Sequence, residues 1–278
     1  MVPAASSPCA PHRGREIRQL ILQCAKAAGV GHIGSALSIA DIVEVLVCDV
    51  LRGVKGHTAD RDVFVLSKGH AALAYFCALR LSGVLTDADL ATYCRNDTLL
   101  GVHPDHRIPG VDFSTGSLGH GLAFGVGSAT AMRLRGRAGR AFVLLSDAEL
   151  NEGSTWEAIM FAGHHRLHQL TAILDDNGQQ ALGKTADVMR LDPVLDKVAS
   201  FGWETLSVDG HDHDAILRAF TTPASGQPRF IRAKTTSGSG VPFMQGEVAW
   251  HYLPMSDEQY AQALAAIGDP AGHPAAVP

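Results

Sequence analysis

The chain has little that could staple or anchor it. Its five cysteines, Cys9, Cys24, Cys48, Cys77 and Cys94, are scattered and form no C-x-x-C pair. That excludes a disulfide framework and a cysteine zinc ribbon, and it is the usage expected of a reducing cytoplasm, where a free thiol packs as a small hydrophobe. No segment reaches the roughly 18 consecutive apolar residues of a membrane span, and the start, Met1 to Pro8, lacks the basic and apolar regions of a signal peptide. Neither secretion nor membrane insertion is expected. Positive charge is also in deficit: 23 Lys and Arg stand against 28 Asp and Glu, a formal net charge of -5, so there is no broad positive field to attract nucleic acid. No internal repeat and no Pro/Gly/Ser-rich linker divides the middle of the chain.

What remains is an ordinary globular composition, 46% hydrophobic and 18% charged over 278 residues, enough for one large α/β domain with a sizeable core. Residues 1–13, rich in Pro, Ala and Ser, read as a flexible arm, residues 14–268 as the domain, and 269–278 as a flexible tail. Between Glu16 and Ala28 the apolar Ile17, Leu20, Ile21 and Cys24 recur at helical spacing, with Gly29 as a stop. Ser38-x-x-Asp41 has the form of a capping box ahead of Ile42, Val45 and Leu46.

Strand-like and helix-like runs then alternate. Val63–Leu66 precedes a helical Ala71–Leu81, Phe142–Leu145 precedes Thr155–His164, and Thr171–Leu174 precedes Val194–Phe201. Glu204–Val208 leads to Asp214–Phe220, Phe230–Ala233 follows, and Ser256-x-x-Gln259 opens a last helix. Continuous apolar strands alternating with helices predict a doubly wound, mainly parallel sheet with helices on both faces.

Two of those strands end in oxygen-bearing side chains. Leu144 and Leu145 run into Ser146-Asp147-Ala148-Glu149, and Leu174 runs into Asp175-Asp176-Asn177-Gly178-Gln179. An α/β sheet delivers its ligands at the carboxyl ends of its strands. A carboxylate with an amide oxygen suits Mg²⁺ or Ca²⁺, and such a cation would relieve the repulsion between two phosphates. Taken alone, Asp147 could equally be a helix cap contributing about 1 kcal/mol, and Glu152 and Glu157 could be solvated surface acids.

The wider pattern is more specific. Ser146-Asp147-Ala148, Glu152-Gly153, Trp156-Glu157-Ala158, His164-His165 and Asp176-Asn177-Gly178-Gln179 resemble the thiamine-diphosphate motif of transketolases. Further blocks follow the family's order: Gly31-His32-Ile33-Gly34-Ser35, Leu66-Ser67-Lys68-Gly69-His70-Ala71, Gly101-Val102-His103-Pro104, Thr115-Gly116-Ser117-Leu118-Gly119-His120-Gly121, Val208-Asp209-Gly210-His211-Asp212 and Ala249-Trp250-His251.

The resemblance implies a thiamine-diphosphate-binding fold and that cofactor, with Mg²⁺ or Ca²⁺ held by the side chains of Asp147 and Asn177 and the backbone carbonyl of Gln179. It implies that His32, His70, His103 and His251 line the diphosphate and the reacting end of a ketose, as groups able to donate to phosphate or move a proton near neutral pH. Gly116, Ser117, Leu118 and Gly119 would run against the cofactor rings, with Ala148 and Glu149 beside the metal. Glu152 and Glu157 would join two active sites across a dimer.

The blocks cover only the family's first domain. The expectation is therefore the N-terminal subunit of a split transketolase, completed by a second subunit carrying the pyrimidine-binding and C-terminal domains, as an α2β2 heterotetramer acting on sugar phosphates. Rival expectations are a related thiamine enzyme using an α-keto acid donor, and a non-catalytic partner that has lost the cofactor.

The chain departs from the family in several places. Glycines usually flank the metal-binding Asp where Ser146 and Ala148 stand here, and an Ala148 forced to φ > 0 would be strained by about 1 kcal/mol or more. Tyr252 replaces a glycine, and Ser237 and Ser239 occupy positions where Lys is common. Three other patterns are read as decoys. Gly119-x-Gly121-x-x-x-Gly125 lacks the strand of a dinucleotide loop, His164-His165-x-x-His168 reads as a helix end, and His211-Asp212-His213-Asp214 reads as a turn and helix start.

Overall fold

Strands β1 (Val63–Leu66), β2 (Ala141–Ser146) and β3 (Leu170–Asp176) lead into a two-residue ribbon, β4 (Gln179–Gln180) and β5 (Gly183–Lys184), and then β6 (Glu204–Asp209) and β7 (Arg229–Lys234). The ribbon apart, they form one sheet in the order β1-β2-β3-β7-β6, with every neighbouring pair parallel. The computed structural model describes residues 13–56, 58–223 and 225–268. The expected arm, Arg13 excepted, and the expected tail lie outside the described residues.

The helices are α1 (Gly14–Ala28), α2 (Ile33–Ser38), α3 (Ala40–Glu44), α4 (Ala72–Leu81), α5 (Asp87–Leu90), α6 (Gly121–Leu134) and α7 (Gly153–His164). They continue with α8 (Thr185–Val188), α9 (Val194–Ser200), α10 (His213–Thr221) and α11 (Asp257–Ile267). A π-helical turn, Val45–Val50, extends α3.

Strands β1 and β2 and most of β3 are apolar because both faces of the sheet are covered there, whereas the edge strand β6 is half-buried or exposed along its length. Phe64, Leu66, Phe142, Leu144, Ile173 and Ile231 pack under α1, α3, α4 and α10. The alternate residues Val65, Val143, Leu145, Ala172, Leu174 and Phe230 pack under α6, α7 and α9. Burying one such Leu or Phe side chain is worth about 1.5–3 kcal/mol, so the two cores fix which way each strand faces. Helix α1 is as expected: it buries Ile17, Ile21, Leu22 and Ala25, and Gly29 closes it at φ 65°. Ser256 and Gln259 form the expected capping box on α11. Among the described residues no helix is long and apolar enough to cross a membrane.

Two features differ from the expectations. The Ser38-x-x-Asp41 box does not form: Ile39 is the N-cap of α3 and no side chain caps it. The Ser38 hydroxyl donates instead to Asp175 Oδ2 at 2.9 Å, and Asp41 pairs with Arg18, so tertiary partners win over a local cap worth about 1 kcal/mol. Helix α6 has no counterpart in the sequence pattern. Its buried face is Gly121, Leu122, Gly125, Val126 and Ala129, a surface of mostly small residues without a strong apolar stripe. A Cβ at Gly125 would drive into Val143 and one at Gly121 into Ser67. These glycines serve close helix-to-sheet packing, in keeping with the exclusion of a dinucleotide loop.

Candidate active site

The register of the first three strands builds the site. Leu66 lies beside Leu144 and Ser146 beside Asp175, so the residues that follow emerge together at the carboxyl edge of the sheet, where α/β proteins bind their ligands. Those residues are Ser67 to His70, Asp147, and Asp176 with Asn177.

After β2 the chain enters a tight turn capped reciprocally by Ser146 and Glu149. The fully buried Glu149 carboxylate accepts from Ser146 N at 2.9 Å and Gly119 N at 3.0 Å, and from the Ser67 hydroxyl. One carboxylate thus ties together the turn after β2, the loop after β1 and the Gly116–Gly119 loop. Burial pushes its pKa up although these donors oppose the shift. Neither Ser146 nor Ala148 has a positive φ, so the replacement of the flanking glycines introduces no strain there.

Asp147, 1% exposed, accepts from Ala148 N at 3.0 Å and from the Thr185 hydroxyl. Beside it, Asp175 accepts from Ser38 and from Asn177 Nδ2 at 3.0 Å, and from Lys68 and the Thr235 hydroxyl. Asn177 Oδ1 in turn accepts from Gln179 N at 3.0 Å, and Gln179 Nε2 donates to Gly246 O at 2.9 Å. Of the three neighbouring aspartates, Asp175 is answered by Lys68 and Asp176 by Arg232 at 2.6 Å, while Asp147 forms no ion pair among the described residues. Burial, with the Asp175 and Asp176 charges adding to it, pushes Asp147 up to about 7. Buried oxygen donors with one carboxylate left unneutralised fit a hard divalent cation.

The histidines gather next to this edge. The rings of His32, His70 and His251 lie 5.0–5.5 Å apart, centroid to centroid, and a Cβ on Gly116 would stand 3.4 Å from the His103 ring. Burial lowers the pKa of each of the four. The shift is deepest for His70, to which Lys68 and the other histidines contribute, and His251 falls to about 4 through burial and the charges of His32 and Lys68. The four imidazoles are therefore neutral near pH 7, each with one donor and one acceptor nitrogen. His32 sits in the left-handed region at φ 59°, its amide donates to His251 O at 3.3 Å, and its Nδ1 is buried without a hydrogen-bond partner among the described residues. Such an orphan is costly unless a ligand meets it. Tyr252 contributes its backbone, into which a Cβ at Gly31 would drive.

The Gly116–Gly119 loop is pinned at both ends. The Thr115 hydroxyl donates to Leu66 O at 2.6 Å, and Gly119, at φ 86°, is held by Glu149 and by the Ser154 hydroxyl at 3.0 Å. Between them Gly116 and Ser117 are exposed and Leu118 half-buried. Glu152 precedes α7 with its side chain beside Gly119, and Glu157 lies further along that helix; both are exposed. Met160 and Phe161, 54% and 44% exposed, share the helix with them.

Sequence motifs alone assign no role to Ser67, Lys68, Asp175, Thr185 or Thr235. Lys68 and Asp175 lie within or beside the family's blocks, and the signal was a lysine and an aspartate adjoining apolar strands. His164 is the last residue of α7 and His165 its C-cap, and Asp212 caps α10 through Ala215 N at 3.0 Å. His211 accepts from Thr236 N at 3.0 Å and faces Asp41 at 2.9 Å, joining the turn after β6 to the end of β7.

A parallel α/β sheet that gathers acids and an amide at the ends of its first three strands, with neutral imidazoles beside them, belongs to the class of cofactor-holding domains. Residues 12–278 match the family described as transketolase, thiamine diphosphate binding domain, and the chain belongs to the transketolase family.

It is 37% identical over 262 residues to the 6-deoxy-6-sulfo-D-fructose transketolase subunit SqwG of Clostridium sp. (strain MSTE9), covering 92% of this chain and 95% of that protein. It is 34% identical over 256 residues to an apulose-4-phosphate transketolase subunit of Phocaeicola vulgatus, covering 91% of each. The solved transketolase of Campylobacter jejuni superposes with a TM-score of 0.88 at 29% identity over 96% of this chain. That alignment takes in 44% of the Campylobacter chain, so the present chain spans less than half of the solved transketolase it matches.

Proposed function

We propose that this chain is the diphosphate-binding subunit of a two-component transketolase, transferring a two-carbon ketol unit from a ketose phosphate to an aldehyde acceptor. The observation that carries the reading is the meeting of Asp147 and Asn177 with His32, His70, His103 and His251 at one edge of the sheet, in a chain that matches nearly end to end two relatives named as transketolase subunits. The reading includes a second subunit bearing the remaining domains, in an α2β2 arrangement, working in the cytoplasm. No disulfide joins Cys24, Cys48, Cys77 or Cys94 among the described residues, which supports a reducing compartment.

Thiamine diphosphate, when bound, supplies a nucleophilic carbon for making and breaking carbon–carbon bonds at a carbonyl. Asp147 and Asn177 hold Mg²⁺ or Ca²⁺ through oxygen, with the Gln179 carbonyl completing the set. His70 donates to the diphosphate. His32, His103 and His251, neutral at pH 7, move protons on the sugar hydroxyls, an effect that typically contributes about 10²–10⁴-fold. The Gly116–Gly119 loop lies against the cofactor rings. Glu152 and Glu157 on the exposed face of α7 meet a second active site across the assembly.

The non-catalytic alternative loses its motive, because Ser146 and Ala148 occupy unstrained backbone. Calorimetry of the chain with its partner subunit, thiamine diphosphate and Mg²⁺ tests the reading. Saturable heat is expected from the native chain and none from Asp147→Ala; equal affinity in the two overturns the metal assignment. With the reconstituted pair, turnover of ketose phosphates and none of α-keto acids is expected, and the reverse refutes the transketolase assignment.

A further inference from the structure

Away from the strand ends, two carboxylates and an imidazole converge where the π-helical turn packs on the start of α10. Glu44 stands just before the turn and is 1% exposed, Asp49 lies within the turn at the surface, and His213 is the first residue of α10. His213 Nε2 is 3.1 Å from Asp49 Oδ2 and 3.7 Å from Glu44 Oε2. The three donor atoms lie within 4.8 Å of one another. Ligands at about 2.0–2.1 Å from a tetrahedral zinc ion stand roughly 3.3–3.4 Å apart. Two of the three pairs already straddle that spacing.

Outer groups orient the ligands as well. His213 Nδ1 faces Asp214 Oδ1 at 3.4 Å. A proton on Nδ1 directed at that carboxylate leaves the Nε2 lone pair toward Glu44 and Asp49, which is how a carboxylate usually sets a metal-binding histidine. Arg13 N donates to Glu44 Oε1 at 3.3 Å, so the other carboxylate oxygen is the one presented to His213. One imidazole with two carboxylates suits Zn²⁺ and similar borderline ions, whereas Mg²⁺ prefers oxygen alone. Asp49 at the surface gives an entry path and leaves room for a water as fourth ligand.

We propose that Glu44, Asp49 and His213 bind a zinc-like divalent cation that clips the π-helical turn to α10. The site is separate from the strand-end site and does not depend on the function proposed for it. The ion would join segments about 165 residues apart in the chain, the sequence distance from Asp49 to His213, and metal binding of this kind adds directly to folding stability.

The test uses the full-length chain, pre-loaded with thiamine diphosphate and Mg²⁺, titrated with Zn²⁺ by calorimetry and with Co²⁺ by visible absorption. One equivalent and a tetrahedral cobalt spectrum are expected, with a rise in melting temperature on adding Zn²⁺. Asp49→Asn, a surface change that keeps the fold, and His213→Gln should each weaken binding at least about tenfold and abolish the thermal shift. Equal zinc affinity in Asp49→Asn and the native chain, or no saturable binding by the native chain, overturns the proposal.

Discussion

Replacing Lys68 with methionine is the sharpest test of how the strand-end site is held. The Lys68 side chain is 1% exposed and its partner Asp175 is fully buried. Methionine keeps most of the apolar stem, so the cavity left behind is small and the change isolates the charge. Asp175 would keep three neutral donors, Ser38, Asn177 and Thr235, and lose its cation. Removing one partner of a buried ion pair typically costs about 3–5 kcal/mol, because the remaining charge is desolvated and uncompensated. At about 2–4 °C per kcal/mol for a domain of this size, the melting temperature should fall by roughly 6–20 °C.

Urea unfolding at pH 7, followed by circular dichroism, measures the loss. The double variant Lys68→Met with Asp175→Asn removes the stranded charge, and it should be more stable than the sum of the single changes by a coupling of about 0.5–3 kcal/mol. A loss under about 1 kcal/mol for Lys68→Met, or strict additivity in the cycle, would refute the reasoning.

Other outcomes follow from the same structure. Gly163→Ala on α7 would push a Cβ into Phe201 O; overpacking of this kind costs about 1–3 kcal/mol, and an unchanged unfolding midpoint would contradict it. Ser256→Ala removes the cap of α11 and should cost about 1 kcal/mol, read in the same assay. His251, lowered to about 4, is near 6.5 when unfolded. Between those values the unfolded chain binds the proton and the folded chain does not, so stability should decline as pH falls from about 6.5 to about 4. His251→Gln should flatten that slope, and an identical slope would show that the ring is not held neutral.

The parallel sheet was legible because its strands β2 and β3 are largely apolar on both faces, a pattern few other arrangements produce, and the ends of α1 and α11 were legible because Gly29 and the Ser256–Gln259 pair are local signals. Helix α6 was not, because its buried face is largely Gly121, Gly125 and Ala129, with Gly121 close against Ser67 and Gly125 against Val143, and leaves no amphipathic stripe. Ser38 illustrates the same limit from the other side: its spacing to Asp41 fits a cap, yet its partner is Asp175, 137 residues away. The histidines and Asp147 could be named from motifs. The reason they cooperate, the shared carboxyl edge of β1, β2 and β3, resides in strand register, which no local stretch of sequence encodes.

The four-donor arrangement around Asp175 has a consequence for the order of events. It fixes Asn177 just after β3, Lys68 in the loop after β1, Ser38 of α2 and Thr235 just after β7 through hydrogen bonds of the chain itself. The conformational entropy of ordering these segments is lost during folding, so little of it remains to oppose capture of a cofactor. A site framed this way is preorganised by the fold.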